Sequence, residues 1–188
     1  MESYYEHLLH RSNKIKIRIL DDIANLSNST LIVKESPKEW SVIEVVDHLN
    51  KVYDIYLDNF EKSIGSAPPL NGEAQKFQRT ILGRLSVYTN KPKGTKRKFK
   101  MKTFDFFQPD EKKDCGKILG EFAEKKDIFN AHLKEARLKN LNGIKVPTAL
   151  GEKVKFYVSE CFDFLLAHEE RHMVQIEGIL DRLDLTSA

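Results

Sequence analysis

Apolar residues recur at helical intervals along most of the chain. Leu8, Ile15, Ile19, Ile23 and Leu26 share one face and predict a first amphipathic helix, which the small polar residues at 27–30 should end. After Pro37, Ser41 has the place of an N-cap, and Glu44 stands three positions on, as a capping box requires. Val45, Leu49, Val52, Tyr56 and Phe60 then mark the inward face of a second helix, expected to run from Ser41 to about Ile64 before Gly65, Pro68 and Pro69. Periodicity weakens over 65–109, where Leu82, Leu85 and Val87 suggest one short helix in a long connection, of a length that often covers the mouth of a site. A third helix is carried by Ile118, Phe122, Phe129 and Leu133 and should end by 140–143. Past Pro147 and Gly151, a single stripe runs through Val154, Val158, Cys161, Leu165, His168, His172, Ile176, Ile179 and Leu183 and predicts a fourth helix. Four such helices with no βαβ rhythm imply an all-α fold, a four-helix bundle with a long connection between the second and third helices.

Composition changes this picture little. The 188 residues, 40% hydrophobic and 31% charged, suit one domain over 1–188 with its own core. Lys plus Arg number 31 against 28 Asp plus Glu, and the formal charge of +3 is too slight to imply a polyanion partner. No apolar run approaches the roughly 20 residues that span a bilayer, and the opening MESYYEHLLHRSNKIKIR carries charge where a signal peptide needs an uncharged core. A cytoplasmic protein without a membrane partner is expected. Cys115 and Cys161 lack CxxC spacing and read as free thiols, Cys161 in the core. The basic stretch at 91–100, followed by Phe104, Phe106 and Phe107, has the makings of a nucleic-acid contact, but a solvated loop is the favoured reading. Alternatively its charge steers an anionic substrate, with Lys96, Arg97 and Lys98 as the residues to neutralise.

The sharpest chemical signal is a pair of histidines. His168 and His172 are four positions apart, so their rings leave one helix face a turn apart, close enough to share an ion. Both lie on the apolar stripe, where a buried imidazole needs either a hydrogen-bond partner or a metal. Spacing alone leaves both open. His48, at the margin of the second helix's inward face, can point toward a neighbouring helix and complete a three-imidazole site with open coordination positions. His7, His10 and His132 sit among polar residues and are expected at the surface. HEERH also matches the HExxH pattern of zinc proteases, with Glu169 as general base, but only sixteen residues follow His172 and none is histidine. Glu169 remains the candidate catalytic acid or base, or else part of a solvated face with Glu170 and Arg171. Glu44 is a candidate to orient His48 if it is not capping, and Trp40 either staples the helix start or walls a pocket.

WSVIEVVDHL on the second helix and LLAHEERHMVQIEGIL on the last resemble the signatures of the DinB/YfiT-like metalloenzymes, over nearly the whole chain. The approach at 147–151 and Gln175 after the second histidine are also similar. The resemblance implies a four-helix bundle with a divalent metal on His48, His168 and His172. Three imidazoles suit Zn, Ni, Fe and Cu, with Zn and Ni placed first. It further implies a metal-dependent enzyme acting on a small molecule: a transferase using a low-molecular-weight thiol such as bacillithiol or mycothiol, as in the maleylpyruvate isomerase branch, or a hydrolase. The long basic connection departs from the pattern. The alternative is a non-catalytic binding or stress-associated module with a structural or vestigial metal site, and a homodimer is compatible with either.

Overall fold

The computed structural model describes residues 4–72, 75–94, 103–110 and 114–183. Among them are six α-helices and one two-stranded sheet: α1 (Tyr4–Ile17), α2 (Asn28–Ile32), α3 (Val42–Gly65), α4 (Ile81–Asn90), α5 (Cys115–Ala136), β1 (Lys145–Thr148), β2 (Gly151–Tyr157) and α6 (Val158–Arg182). No helix in these residues is long and apolar enough to cross a membrane.

The first predicted helix is subdivided. After Ile17 the coil widens over Arg18–Ile23 into a π-helical segment, closed by the amide of Ala24 donating to Ile19 O at 2.9 Å. Ile19 and Ile23, one widened turn apart, are both buried. The polar cluster at 27–30 also starts structure as well as ending it, because Ser27 Oγ accepts from the amide of Thr30 at 3.2 Å and caps α2.

The capping box of α3 is formed as expected. Ser41 Oγ accepts from Glu44 N at 3.4 Å, and Glu44 Oε2 accepts from Ser41 N at 2.8 Å. Asp114 caps α5 by accepting from Lys117 N at 3.0 Å. The short helix expected in the long connection is α4. Thr80 caps it, and Glu160 of α6 accepts from Thr80 N at 2.9 Å and from Thr80 Oγ1 at 3.1 Å. Gly83 leaves room for this docking, since a Cβ there would displace the Glu160 carboxylate from Thr80.

One predicted boundary is wrong. The last helix does not begin near Val154 but at Val158, because 145–157 folds back as an antiparallel hairpin. Val146 opposes Phe156 in its ladder and both are buried, while Gly151 takes a φ of +117° that other residues adopt only under strain. The all-α expectation therefore broadly fits: the described residues are predominantly helical, with one small hairpin added.

α3 packs against α5 and α6, and α1 packs against the same two helices. Their shared core is aromatic: Phe60 of α3 stacks on Phe162 of α6 at 4.3 Å between ring centroids, with Phe129 of α5 edge-on to Phe162 at 5.6 Å. Cys161 is fully buried and Cys115 nearly so, both as free thiols. The α3–α6 contact is the one that positions the histidines.

Candidate metal centre

α3 contributes His48, and α6 contributes His168 and His172. Their Nε2 atoms converge: His168 Nε2 is 3.3 Å from that of His48 and 3.2 Å from that of His172. Zinc binds imidazole nitrogen at about 2.0–2.1 Å, and two such bonds at a tetrahedral angle hold their nitrogens about 3.3–3.4 Å apart. The observed spacings are those of two edges of such a tetrahedron.

Two of the rings are oriented from behind. His48 Nδ1 lies 3.0 Å from the carbonyl of Phe107, and His172 Nδ1 lies 3.1 Å from Gln175 Oε1. An oxygen acceptor at Nδ1 keeps the ring hydrogen there and leaves the Nε2 lone pair for a ligand. His168 Nδ1 is buried and has no hydrogen-bond partner among the described residues. Burial holds all three rings below the usual histidine range, most strongly at His168 and His172, where the other imidazoles and the Arg171 charge act in the same direction. Neutral rings with converging lone pairs are what a divalent ion requires. Among the described residues, these three form the cluster of side chains able to hold a metal.

The Phe107 carbonyl is itself anchored. Phe107 is the last residue of a single 3₁₀ turn, Asp105–Phe107, and the chain beyond it is tied to α3: Asp110 N donates to Asp47 Oδ2 at 2.8 Å, and Lys51 Nζ donates to Gln108 O at 2.7 Å. The end of the long connection thus fixes the face of α3 that carries His48. No local sequence pattern signals this backbone contact.

A cavity of about 350 Å³ opens beside the three rings. Trp40, Phe104, Phe107 and Phe164 supply apolar wall; Ser86, Thr89 and Asn90 from α4, Gln175, and the charged Lys38, Glu39 and Arg171 supply polar groups. Its volume suits a small molecule. The long connection does line the cavity, through α4 and through Thr103, Phe104 and Phe107. Its most basic part, including Lys96, Arg97 and Lys98, lies outside the described residues.

Several other residues bear on the site, some as expected and some not. Trp40 is a wall of the cavity, its ring centroid 5.0 Å from that of His48. Glu44 is engaged in the capping box and by Lys34 at 3.2 Å. His7 and His10 are exposed as expected, whereas His132 is buried, because it shares the inward stripe of α5 with Phe129, Leu133 and Ala136; its Nε2 stands 3.7 Å from Glu61. Glu169 is not on a solvated face. It is 1% exposed, does not line the cavity, and accepts from Tyr53 Oη at 2.6 Å and from Lys126 Nζ at 2.9 Å. Arg171, its neighbour in the alternative solvated-face reading of Glu169, is buried and lines the cavity. Its spacing carried the signal: Phe164, His168, Arg171 and Gln175 follow one another at helical intervals on one face of α6.

A family model described as the DinB superfamily matches residues 18–176, and the chain belongs to that superfamily. No curated protein and no solved structure matches the chain.

Proposed function

We propose that this protein is a metal-dependent enzyme acting on a small molecule, with His48, His168 and His172 as the ligands of a divalent ion, zinc or nickel first. The observation that carries this reading is the convergence of three imidazoles on the wall of a cavity, with His168 Nε2 3.3 Å from that of His48 and 3.2 Å from that of His172. In this reading α1, α3, α5 and α6 pack as the four long helices of a bundle, and the ligands bridge α3 and α6. Three neutral imidazoles leave coordination open, unlike a closed four-ligand structural site. A bound divalent ion would lower the pKa of a thiol or water held at that open position.

The protein's own groups have separate tasks. The Phe107 carbonyl and Gln175 hold His48 and His172 with Nε2 toward the ion. Trp40, Phe104 and Phe164 form the apolar side of the cavity. Glu169 is bound to Lys126 and Tyr53, so we assign it to positioning the His168 turn of α6 rather than to proton transfer.

Membership of the DinB superfamily supports a thiol-dependent transfer or a hydrolysis. Cobalt(II)-loaded protein separates them. A thiolate-to-cobalt charge-transfer band on adding a small thiol supports transfer, and a spectrum that responds to pH but not to thiol supports a water-derived nucleophile. A spectrum indifferent to both would mean a closed, structural site and would overturn the enzymatic reading.

A further inference from the structure

We infer that the cavity beside the histidines selects a small molecule carrying a neutral hydrogen-bond donor, a carboxamide NH2 above all, and that Asn90 is the residue that recognises it. The inference deepens the reading of this cavity as a small-molecule site and rests on it, but it does not use the metal. Asn90 is the last residue of α4, is 2% exposed, and lines the cavity. Its side-chain nitrogen donates to Ser86 O of its own helix at 2.9 Å. That bond settles which arm of the amide is nitrogen, and the planar group turns Oδ1 the other way, off the helix backbone. Oδ1 is buried and has no hydrogen-bond partner among the described residues.

A buried amide oxygen left unpaired is destabilising, and native proteins keep few of them. A ligand N–H or O–H would supply the partner, and a site arranged to bond such a group rejects the analogue that lacks it. Thr89, half-buried in the same wall, repeats the pattern: its hydroxyl donates to Ser86 O at 3.1 Å, which leaves oxygen lone pairs for a ligand. The carbonyl end of the α4 dipole adds partial negative charge at the same place. The α4 side of the cavity thus accepts hydrogen bonds. A carboxamide NH2 brings two hydrogens to these two oxygens where a hydroxyl brings one, and an ammonium would lose its hydration on burial. This wall is held in place, because Glu160 of α6 binds the N-cap Thr80 and Val87 of α4 is buried. The aromatic side formed by Trp40, Phe104 and Phe164 fits an apolar body behind the amide.

The probes are benzamide and acetophenone, which differ by NH2 against CH3 on the same carbonyl. Each is titrated into isotope-labelled full-length protein with and without zinc, and zinc uptake is measured separately by chelator competition. Trp40 is the single tryptophan of the chain and lines this cavity, so its one indole N–H resonance reports occupancy. Benzamide should bind about fivefold or more tightly than acetophenone, and Asn90→Leu should bring the ratio near one by weakening benzamide alone. Asn90→Ala takes its place if Asn90→Leu does not fold. Equal binding of the two probes, no saturable response to benzamide, or a preference unchanged in the folded variant would each overturn the inference. Zinc uptake without a benzamide preference defeats this inference and leaves the metal reading standing. An Asn90-dependent preference in protein that takes up no zinc supports the inference and defeats the metal reading instead.

Discussion

The Tyr53 hydroxyl donates to Glu169 at 2.6 Å across the α3–α6 interface, and Lys126 reaches the same carboxylate from α5 at 2.9 Å. Three helices thus meet on one buried charge pair whose acid is next in the chain to His168. Burial drives the Lys126 ammonium below its usual range and Glu169 opposes that shift, while the Tyr53 hydroxyl is driven upward by burial and by the same carboxylate. Removing one partner leaves the other charged in the core. Glu169→Ala should therefore lower unfolding stability by about 3–5 kcal/mol in denaturant titrations, and a Lys126→Met, Glu169→Leu double variant should recover much of the loss. Wild-type stability in Glu169→Ala would show that the pair does not hold the helices.

Gln175 tests the support behind the ligands. Its amide oxygen faces His172 Nδ1 at 3.1 Å, and Gln175 is half-buried, so Gln175→Leu should disturb ring orientation more than folding. Loss of such a partner typically weakens metal affinity by about 10–100-fold. Competition with a chromophoric chelator measures this, beside a thermal melt of the metal-free variant that should stay near wild type. Undiminished zinc affinity would mean that the His172 ring is held by its packing alone.

Acid should destabilise the metal-free protein through its buried histidines. His48, His132, His168 and His172 all have folded-state pKa values below the ordinary histidine value, with burial as the first cause. Above about pH 6.5 both folded and unfolded chains carry these rings neutral, and their contribution to stability is fully present. As pH falls below that value the unfolded chain takes up protons that the folded chain does not, and stability falls by up to about 1.4 kcal/mol per pH unit for each histidine still neutral in the fold. Melting midpoints at about pH 7.5 and about pH 5.5 should differ clearly, and by less in His132→Leu. Equal midpoints in the wild type would contradict the burial of neutral rings.

How far the chain can be read without its structure varies by element. Ser41 and Glu44 fix the start of α3 because a capping box is local, three residues apart and chemically specific. The three converging histidines were legible because His168 and His172 obey helical spacing within one element and His48 lies on an equally periodic one. The hairpin at 145–157 was not. Val154 and Val158 are four residues apart, an interval that suits a strand of period 2 as well as a helix of period 3.6, so the stripe of α6 extends backward through β2 without contradiction. His132 was misread from its polar neighbours in the chain, although its spacing from Phe129 and Ala136 placed it inward. The Phe107 carbonyl behind His48 spans 59 positions in sequence and depends on tertiary anchoring by Asp47 and Lys51.

The central claim is that His48, His168 and His172 hold a divalent metal. Elemental analysis of protein purified without an affinity tag or chelator, then incubated with zinc or nickel and desalted, tests it beside the His168→Ala, His172→Ala double variant. Near-stoichiometric metal in the wild type, absent from a folded double variant, is the predicted result. Wild-type protein that stays metal-free after incubation, or a double variant that retains the metal, would contradict the claim and leave the three imidazoles as a hydrogen-bonded cluster in the wall of the cavity.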